Sequence, residues 1–405
     1  MTNKSVLITG ATGFTGNRLA ERLALGSGYN VTAAVHRFSG PGIARLARLP
    51  VKLALVDVLD IKSLESAAEN CDFIVHLAYG TSGDEDTKRR ITVSGTENIL
   101  KVALKKNLSK VVHLSTAAVH GIDPKIPVVG ETAPFEHSHD VYRKSKIEAE
   151  KIVWQYHQKH GIPVVVFRPP IIYGPYGTYW TARIVQEIQA GAILVNGGSG
   201  AANLIYIDNL IDAVLLALYK DSGDGEAFLV VDDEVLTWRE VYKAYASLID
   251  SHPPIRYMSE EEIEAVRKGD QPNDLKSWLV SPLLLLPEMV RTSLRSSEMR
   301  SKMMRVPWLR FVKNRLPRHA LDNMKHGGNS DENISLENAQ ALRTILPSTD
   351  LVKLYSSQAR FSNDKIKRIL GYKQRITFPK ALDLINAWFQ YQRLLPSPPD
   401  AKLHY

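Results

Sequence analysis

Cysteine is almost absent from this chain: among 405 residues Cys71 stands alone. An intramolecular disulfide and a cysteine-rich zinc site are thereby excluded, and a reducing compartment fits. No metal-ligand spacing stands out and no repeat recurs. The apolar stretch from Trp278 to Pro287, ten residues with two prolines, falls short of the roughly 20 apolar residues a transmembrane helix needs. Residues Met1 to Lys4 lead directly into the strand-like Ser5 to Thr9, which leaves no room for a signal peptide, so a cytoplasmic protein is expected.

What is present describes a globular protein. Apolar residues make up 44% and charged residues 23%, so a real core is expected. The length allows two domains, or one large sheet with a satellite lobe. Short β-branched runs (Val6 to Thr9, Val31 to Val35, Lys52 to Val56, Phe73 to Leu77, Val111 to Leu114, Val164 to Phe167) alternate with longer amphipathic stretches. Strands apolar on both faces and separated by helices predict an α/β fold, a doubly wound parallel sheet. The rhythm breaks at Pro169, Pro170, Gly174, Pro175 and Gly177, where a loop is expected. A strand at Leu204 to Ile207, a helix from Asp208 to Tyr219 and a strand at Ala227 to Val231 follow, and Ser259 with Glu262 forms a capping box further on. Residues 326–335 read as a loop.

The net charge of +8 is unevenly placed. Residues 1–250 carry 26 basic against 27 acidic residues, whereas residues 251–405 carry 25 against 16. Residues 289–325 alone hold ten basic and two acidic side chains, interleaved with Met, Trp and Leu. Such a segment, taken with the apolar stretch before it as 277–325, suits either a helical lid or peripheral contact with an anionic membrane or a lipid-linked substrate. No nucleic-acid recognition motif accompanies the charge, so nucleic acid is not an expected partner.

The turn after the first strand reads Gly10-Ala11-Thr12-Gly13-Phe14-Thr15-Gly16 and opens a helix. Glycine is required where backbone turns tightly or approaches a pyrophosphate, and a helix N-terminus supplies free amides and a favourable dipole. The position predicts a Rossmann dinucleotide site. At the end of the second strand stand His36 and Arg37 with no acidic residue to hold a ribose hydroxyl, which favours NADP(H) over NAD(H). Further on, Tyr142 and Lys146 are spaced i and i+4 on a helical stretch and share a face. Proton transfer at a carbinol wants a phenol of lowered pKa, which a neighbouring ammonium provides.

With these motifs the chain resembles the extended short-chain dehydrogenases, the NAD-dependent epimerase/dehydratase family. The resemblance rests on the glycine motif, Asp57-Val58, His76-Leu77-Ala78, Gly95-Thr96, Ser115-Thr116, the Tyr142/Lys146 helix and Arg168 to Pro175, in that order over residues 5–220. It implies that Tyr142 is the acid/base, that Lys146 also holds the nicotinamide ribose, and that Thr116 hydrogen-bonds the reacting oxygen. Asp57 would contact adenine, and Val58, Leu77, Ala78, Tyr79, Pro169 and Ile172 would complete the cofactor site. A homodimer through the Tyr/Lys helix is a further implication. The domains expected are a cofactor domain over 1–175 with returning elements at 203–232, a smaller C-terminal substrate-binding lobe over 176–202 and 233–395, and a tail at 396–405.

Three departures narrow the chemistry. Thr92 stands where the family has the Asn of its proton relay. Ala117-Ala118 replace the Asp-Glu of the sugar-nucleotide dehydratases, which removes the carboxylates needed to eliminate water. Ala201-Ala202-Asn203 lacks the arginine that grips a substrate diphosphate, leaving Arg183, Arg360 or the 289–325 run to compensate. The expected function is hydride transfer between NADP(H) and a small carbonyl or secondary alcohol. A partly apolar substrate fits the aromatic loops at Tyr79, Tyr173, Tyr176, Tyr179 and Trp180. The alternatives are a sugar epimerase that retains its cofactor and a non-catalytic NADP(H) sensor.

Overall fold

The computed structural model describes residues 4–26, 28–249, 252–268 and 346–392. The segments 277–325 and 326–335 and the tail 396–405 lie outside the described residues.

The β-branched runs form one seven-stranded sheet of strands β1 (Ser5–Thr9), β2 (Asn30–Val35), β3 (Lys52–Leu55), β4 (Phe73–His76), β5 (Lys110–Leu114), β6 (Val164–Arg168) and β7 (Glu226–Leu229). All pairings are parallel and the spatial order is β3-β2-β1-β4-β5-β6-β7. Val6 pairs with Val31 on one side and Phe73 on the other. The order reverses between β1 and β4, so a crevice opens at the carboxyl ends of these strands, where open α/β sheets bind ligands.

Between the strands run helices α1 (Phe14–Gly26), α2 (Pro41–Leu46), α3 (Ile61–Ala67), α4 (Glu85–Lys105) and α5 (Val141–His160). Asp60, Asp84 and Asp140 cap α3, α4 and α5 by accepting from Lys62 N, Thr87 N and Arg143 N, satisfying amides the first turn leaves free. Gly161, in the left-handed region at φ 68°, ends α5. One core layer joins Leu7, Ile74 and Val111 of the sheet to Leu64, Ile99, Leu100 and Val153 of the helices above. On another helix, Asp208 takes Arg18 Nε at 2.7 Å, which fastens α1 to Ile207–Tyr219.

Strands β3, β4 and β7 end a residue or two before the β-branched run does, β6 runs one residue beyond it to Arg168, and β7 starts at Glu226 rather than Ala227. The expected loop after Arg168 contains a strand, Ile171–Tyr173, paired in parallel with Leu204–Tyr206. Its two isoleucines favour extended backbone between the flanking Pro170 and Gly174.

The described residues group into two compact units. Of the described residues the first takes 4–26, 28–184, 200–248 and 357–392. It includes 176–184, 200–202, 233–248 and 357–392, which the sequence was read as giving to the second lobe. The aromatic pairs Tyr173–Phe378 and Tyr176–Trp388, at 5.9 and 5.3 Å, hold the late helix Phe378–Tyr391 to this unit. Of the described residues the second unit takes 185–199, 249, 252–268 and 346–356. In it Ile193–Val195 pairs in parallel with Arg256–Met258, and the expected capping box holds: Ser259 Oγ accepts from Glu262 N at 3.1 Å and Glu262 Oε2 from Ser259 N at 2.6 Å.

Candidate active site

Every site residue singled out in the sequence except those on α1 and α5 follows the carboxyl end of a sheet strand, and α1 and α5 begin beside those ends. The glycine loop is built by close backbone contact. Gly10 has φ 69°, and a Cβ there would sit 2.8 Å from Ala78 N. A Cβ on Gly16 would lie 2.3 Å from Gly10 O. Asn17 Nδ2 donates to Ala11 O (3.1 Å) and Gly42 O (3.0 Å), fixing the loop from behind. Thr12 and Gly13 are exposed at the start of α1, with Phe14 and Thr15 half-buried below. A cradle with no room for side chains, at a helix N-terminus with free amides, fits a dinucleotide pyrophosphate.

Around it, His36 and Arg37 are exposed at the end of β2, and Asp57 is exposed after β3 with Oδ1 accepting from Leu59 N at 2.9 Å. Val58 packs where a Cβ on Gly95 would come within 2.9 Å. Leu77, Ala78 and Tyr79 follow β4, while Pro169 and Ile172 follow β6, with Pro169 O accepting from Ala117 N at 2.9 Å. Arg45 of α2, which sequence reading passed over, lies 3.8 Å over the Tyr176 ring.

The catalytic candidates meet at the end of β5. Thr116 caps a 3₁₀ turn, Ala117–His120, by accepting from Ala118 N, and its hydroxyl lies beside Tyr142, whose pKa it lowers. Lys146 Nζ donates to Leu114 O at 2.8 Å. The ring of Tyr79, 43% exposed, lies against both: Lys146 Nζ is 5.1 Å from its centroid and the Tyr142 ring meets it edge-on at 5.5 Å.

Burial governs the titration of this pair. It lowers Lys146 to about 8, with the charge of Glu150 opposing the fall. Tyr142 departs from the expected depression: its ring is 40% exposed, yet crowding around its hydroxyl pushes it up to about 12 against the lowering effect of Thr116. The ammonium is turned to Leu114 O and the Tyr79 ring instead. In this arrangement Tyr142 keeps its proton at neutral pH.

Thr92 is buried, donates to Lys88 O (2.9 Å) and accepts from Gly80 N (3.0 Å). Its hydroxyl is committed to backbone. Beneath the pair, His76 bridges Thr9 Oγ1 (2.7 Å) and Thr96 Oγ1 (3.1 Å), while His113, 1% exposed, has no hydrogen-bond partner for either ring nitrogen among the described residues. Asn203 Nδ2 donates to Ala359 O (2.8 Å) and its Oδ1 accepts from Phe361 N (3.0 Å). A brace for residues 359–361 thus occupies the place of the family's arginine. Sequence reading also missed Glu150, wholly buried beneath Ser115. Its signal was the spacing: positions 142, 146 and 150 fall on one helix face.

Among the described residues no cluster of three or more His, Cys, Asp or Glu is placed to hold a metal, and no helix is long and apolar enough to cross a membrane.

A glycine-cradled dinucleotide crevice beside a Tyr/Lys/Thr group defines a nicotinamide-dependent enzyme of the extended short-chain dehydrogenase class. Residues 6–230 match the model of the NAD dependent epimerase/dehydratase family, and the chain belongs to that family. It is 26% identical over 256 residues to a UDP-glucose 4-epimerase of Vibrio cholerae, covering 61% of this chain and 76% of that one. It is also 26% identical over 263 residues to a 2-alkyl-3-oxoalkanoate reductase of Shewanella oneidensis, covering 61% and 66%. The fold matches a Bacillus cereus UDP-glucuronic acid 4-epimerase solved with NAD, at a TM-score of 0.64 and 16% identity over 96–97% of this chain and 99% of the other.

Proposed function

We propose that the protein is an NADP(H)-dependent reductase of small, partly apolar carbonyl compounds, running in reverse as a secondary-alcohol dehydrogenase. The carrying observation is the gathering of Thr116, Tyr142 and Lys146 at the end of β5, where Lys146 Nζ donates to Leu114 O, Thr116 lies beside Tyr142 and Tyr142 is held protonated. A carbonyl oxygen placed between these two hydroxyls would be polarised by both and protonated by Tyr142 as it gains negative charge. The bound dihydronicotinamide supplies the hydride. Lys146, one turn on along the same helix, would hold the nicotinamide ribose, and Tyr142, its ring 40% exposed, would regain its proton from solvent. Ala117 and Ala118 offer no carboxylate for elimination.

Exposed His36 and Arg37 support NADP(H), since Arg37 can meet a 2′-phosphate and no acid stands there to repel it. Exposed Tyr79, Tyr176 and Tyr179 support an apolar substrate, as does Asn203, whose side chain braces backbone rather than a diphosphate. The name of the Shewanella relative agrees with this reading and that of the Vibrio relative with epimerisation.

Mass spectrometry of small molecules released from the purified protein, followed by assay with NADPH and NADH, tests it. Loss of the reduced-nicotinamide absorbance on adding a carbonyl substrate, faster with NADPH, is expected. Turnover of a sugar nucleotide with no net absorbance change would replace the proposal with an epimerase, and tighter binding of NADH would overturn the cofactor assignment.

A further inference from the structure

The helix that carries Tyr142 and Lys146 carries one more group on the same face, Glu150. Its carboxylate is fully buried and accepts from three side chains: Ser115 Oγ (2.6 Å), Trp154 Nε1 (3.2 Å) and Arg168, through Nε at 3.0 Å and through Nη2. Arg168 is itself tied down, donating by Nη1 to Glu131 O (2.8 Å) and His120 Nε2 (3.2 Å) with its guanidinium 5.0 Å over the Phe135 ring. The consequence lies at the end of β5. There Leu114 O receives Lys146 and Ser115 Oγ donates to Glu150, while the hydroxyl of Thr116 lies beside Tyr142 and lowers its pKa. Two consecutive residues are thus fastened to two successive turns of α5, with Thr116 beside the turn before them, and the anchor of Ser115 is a carboxylate locked by an arginine.

We propose that Glu150, through Ser115, is the positioning residue that sets the register of residues 114–116 against α5 and so the placement of Tyr142 and Lys146. The inference rests on the catalytic reading of that pair. A buried ion pair whose only duty is stability is replaceable by apolar residues at little cost. Here the carboxylate does more than pair with Arg168, because its other oxygen accepts from Ser115, the residue between Leu114 and Thr116. Its charge also opposes the desolvation that draws the Lys146 proton off. The titratable groups facing Lys146 are Tyr142 and Glu150 of α5, His76 of β4, His113 of β5 and Tyr79 after β4; Glu150 is the one carboxylate among them.

Two variants test the proposal in the full-length protein. Ser115→Ala cuts the link to β5 and leaves the Glu150–Arg168 pair whole, whereas Glu150→Gln removes the charge. With NADPH and phenanthrenequinone as carbonyl probe, Ser115→Ala is expected to lower kcat about tenfold or more, with KM within about twofold, as displacement of reacting groups does. NMR of isotope-labelled lysine, with the Lys146 signal assigned from Lys146→Met, is expected to show Lys146 titrating lower in Glu150→Gln than in the parent. A merely structural role predicts lower melting temperatures with kcat and the Lys146 titration unmoved, and that result overturns the proposal. Should Glu150→Gln fail to fold, Ser115→Ala decides alone: an unchanged kcat and an unchanged Tyr142 titration, read by NMR of labelled tyrosine, overturn it. Should the parent reduce no carbonyl probe, the reductase reading fails while the two titrations still decide the positioning role.

Discussion

The ammonium of Lys146 lies 5.1 Å from the centroid of the Tyr79 ring, and the same ring meets Tyr142 edge-on at 5.5 Å. Tyr79 therefore walls Tyr142 and Lys146 from one side and offers Lys146 a negative ring face. Tyr79→Ala is expected to lower kcat/KM about threefold to tenfold, the worth of a partly desolvated cation–π contact at about 1 kcal/mol. Tyr79→Phe keeps the ring and should stay within about twofold of the parent. Equal loss in both variants would show that the hydroxyl, not the ring, matters.

Lys146 is held near about 8 and Tyr142 near about 12, which fixes the direction of the pH dependence. Tyr142 keeps its proton throughout the working range. Lys146 is charged below about pH 8 and neutral above it. If carbonyl reduction needs the ammonium, kcat/KM for the probe falls as pH rises through about 8, with a slope of one proton, because this parameter reports groups of the free enzyme. Lys146→Met should be slow and flat over that window. A parent profile that rises through pH 8 would contradict the protonation states assigned here.

How far the sequence carried this site depends on the range of the interactions. The glycine spacing, the strands and the Tyr142/Lys146 face are local patterns, and each appears where periodicity and turn chemistry put it. What escaped is long-range. Glu150 reaches Ser115 across 35 residues and Arg168 across 18, and no local period announces either contact. The direction of the Tyr142 shift was missed because it depends on how far burial outweighs the lowering effect of Thr116, and on where Lys146 Nζ turns once Leu114 O is within reach. Helix Phe378–Tyr391 packs on Tyr173 and Tyr176, some two hundred residues earlier, and no local pattern announces those contacts.

Two glycines at opposite ends of α1 make a paired test of the cradle. A Cβ on Gly16 would stand 2.3 Å from Gly10 O and 2.8 Å from Ala11 Cα, so α1 and β1 must separate to admit it. Gly16→Ala should cost about 1–3 kcal/mol, as overpacking does, and should weaken NADPH binding by more than tenfold in fluorescence titration. At Gly26 nothing lies within 4 Å and φ is not positive. Gly26→Ala should bind NADPH as the parent does and gain up to about 1 kcal/mol in urea unfolding. If both variants bind NADPH normally, the loop is a structural turn rather than a cofactor cradle.

His76 and Asp232 titrate in opposite senses, and the difference is measurable as stability. Burial, with the Lys146 charge adding to it, lowers His76 to about 3, while burial raises Asp232 to about 7 against hydrogen bonds from Asn209 and Tyr206 N. His113 shifts in the same direction as His76. Below about pH 6.5 the unfolded imidazoles take up protons that the folded ones refuse, so each histidine drains stability by roughly 1 kcal/mol per pH unit as the pH falls. Asp232 acts the other way. Between about pH 4 and 7 the folded carboxyl keeps a proton that the unfolded one has lost, so its contribution declines as pH rises and partly offsets the histidines. Asp232→Asn removes the offset and leaves an acceptor for Tyr206 N, which Asp232 serves at 2.9 Å. Urea unfolding from pH 7 to 5 should therefore lose stability more steeply in Asp232→Asn than in the parent, by roughly 1 kcal/mol per pH unit. Parallel curves would mean that Asp232 is ionised in the folded protein, with its charge carried by the amides of Asn209 and Tyr206.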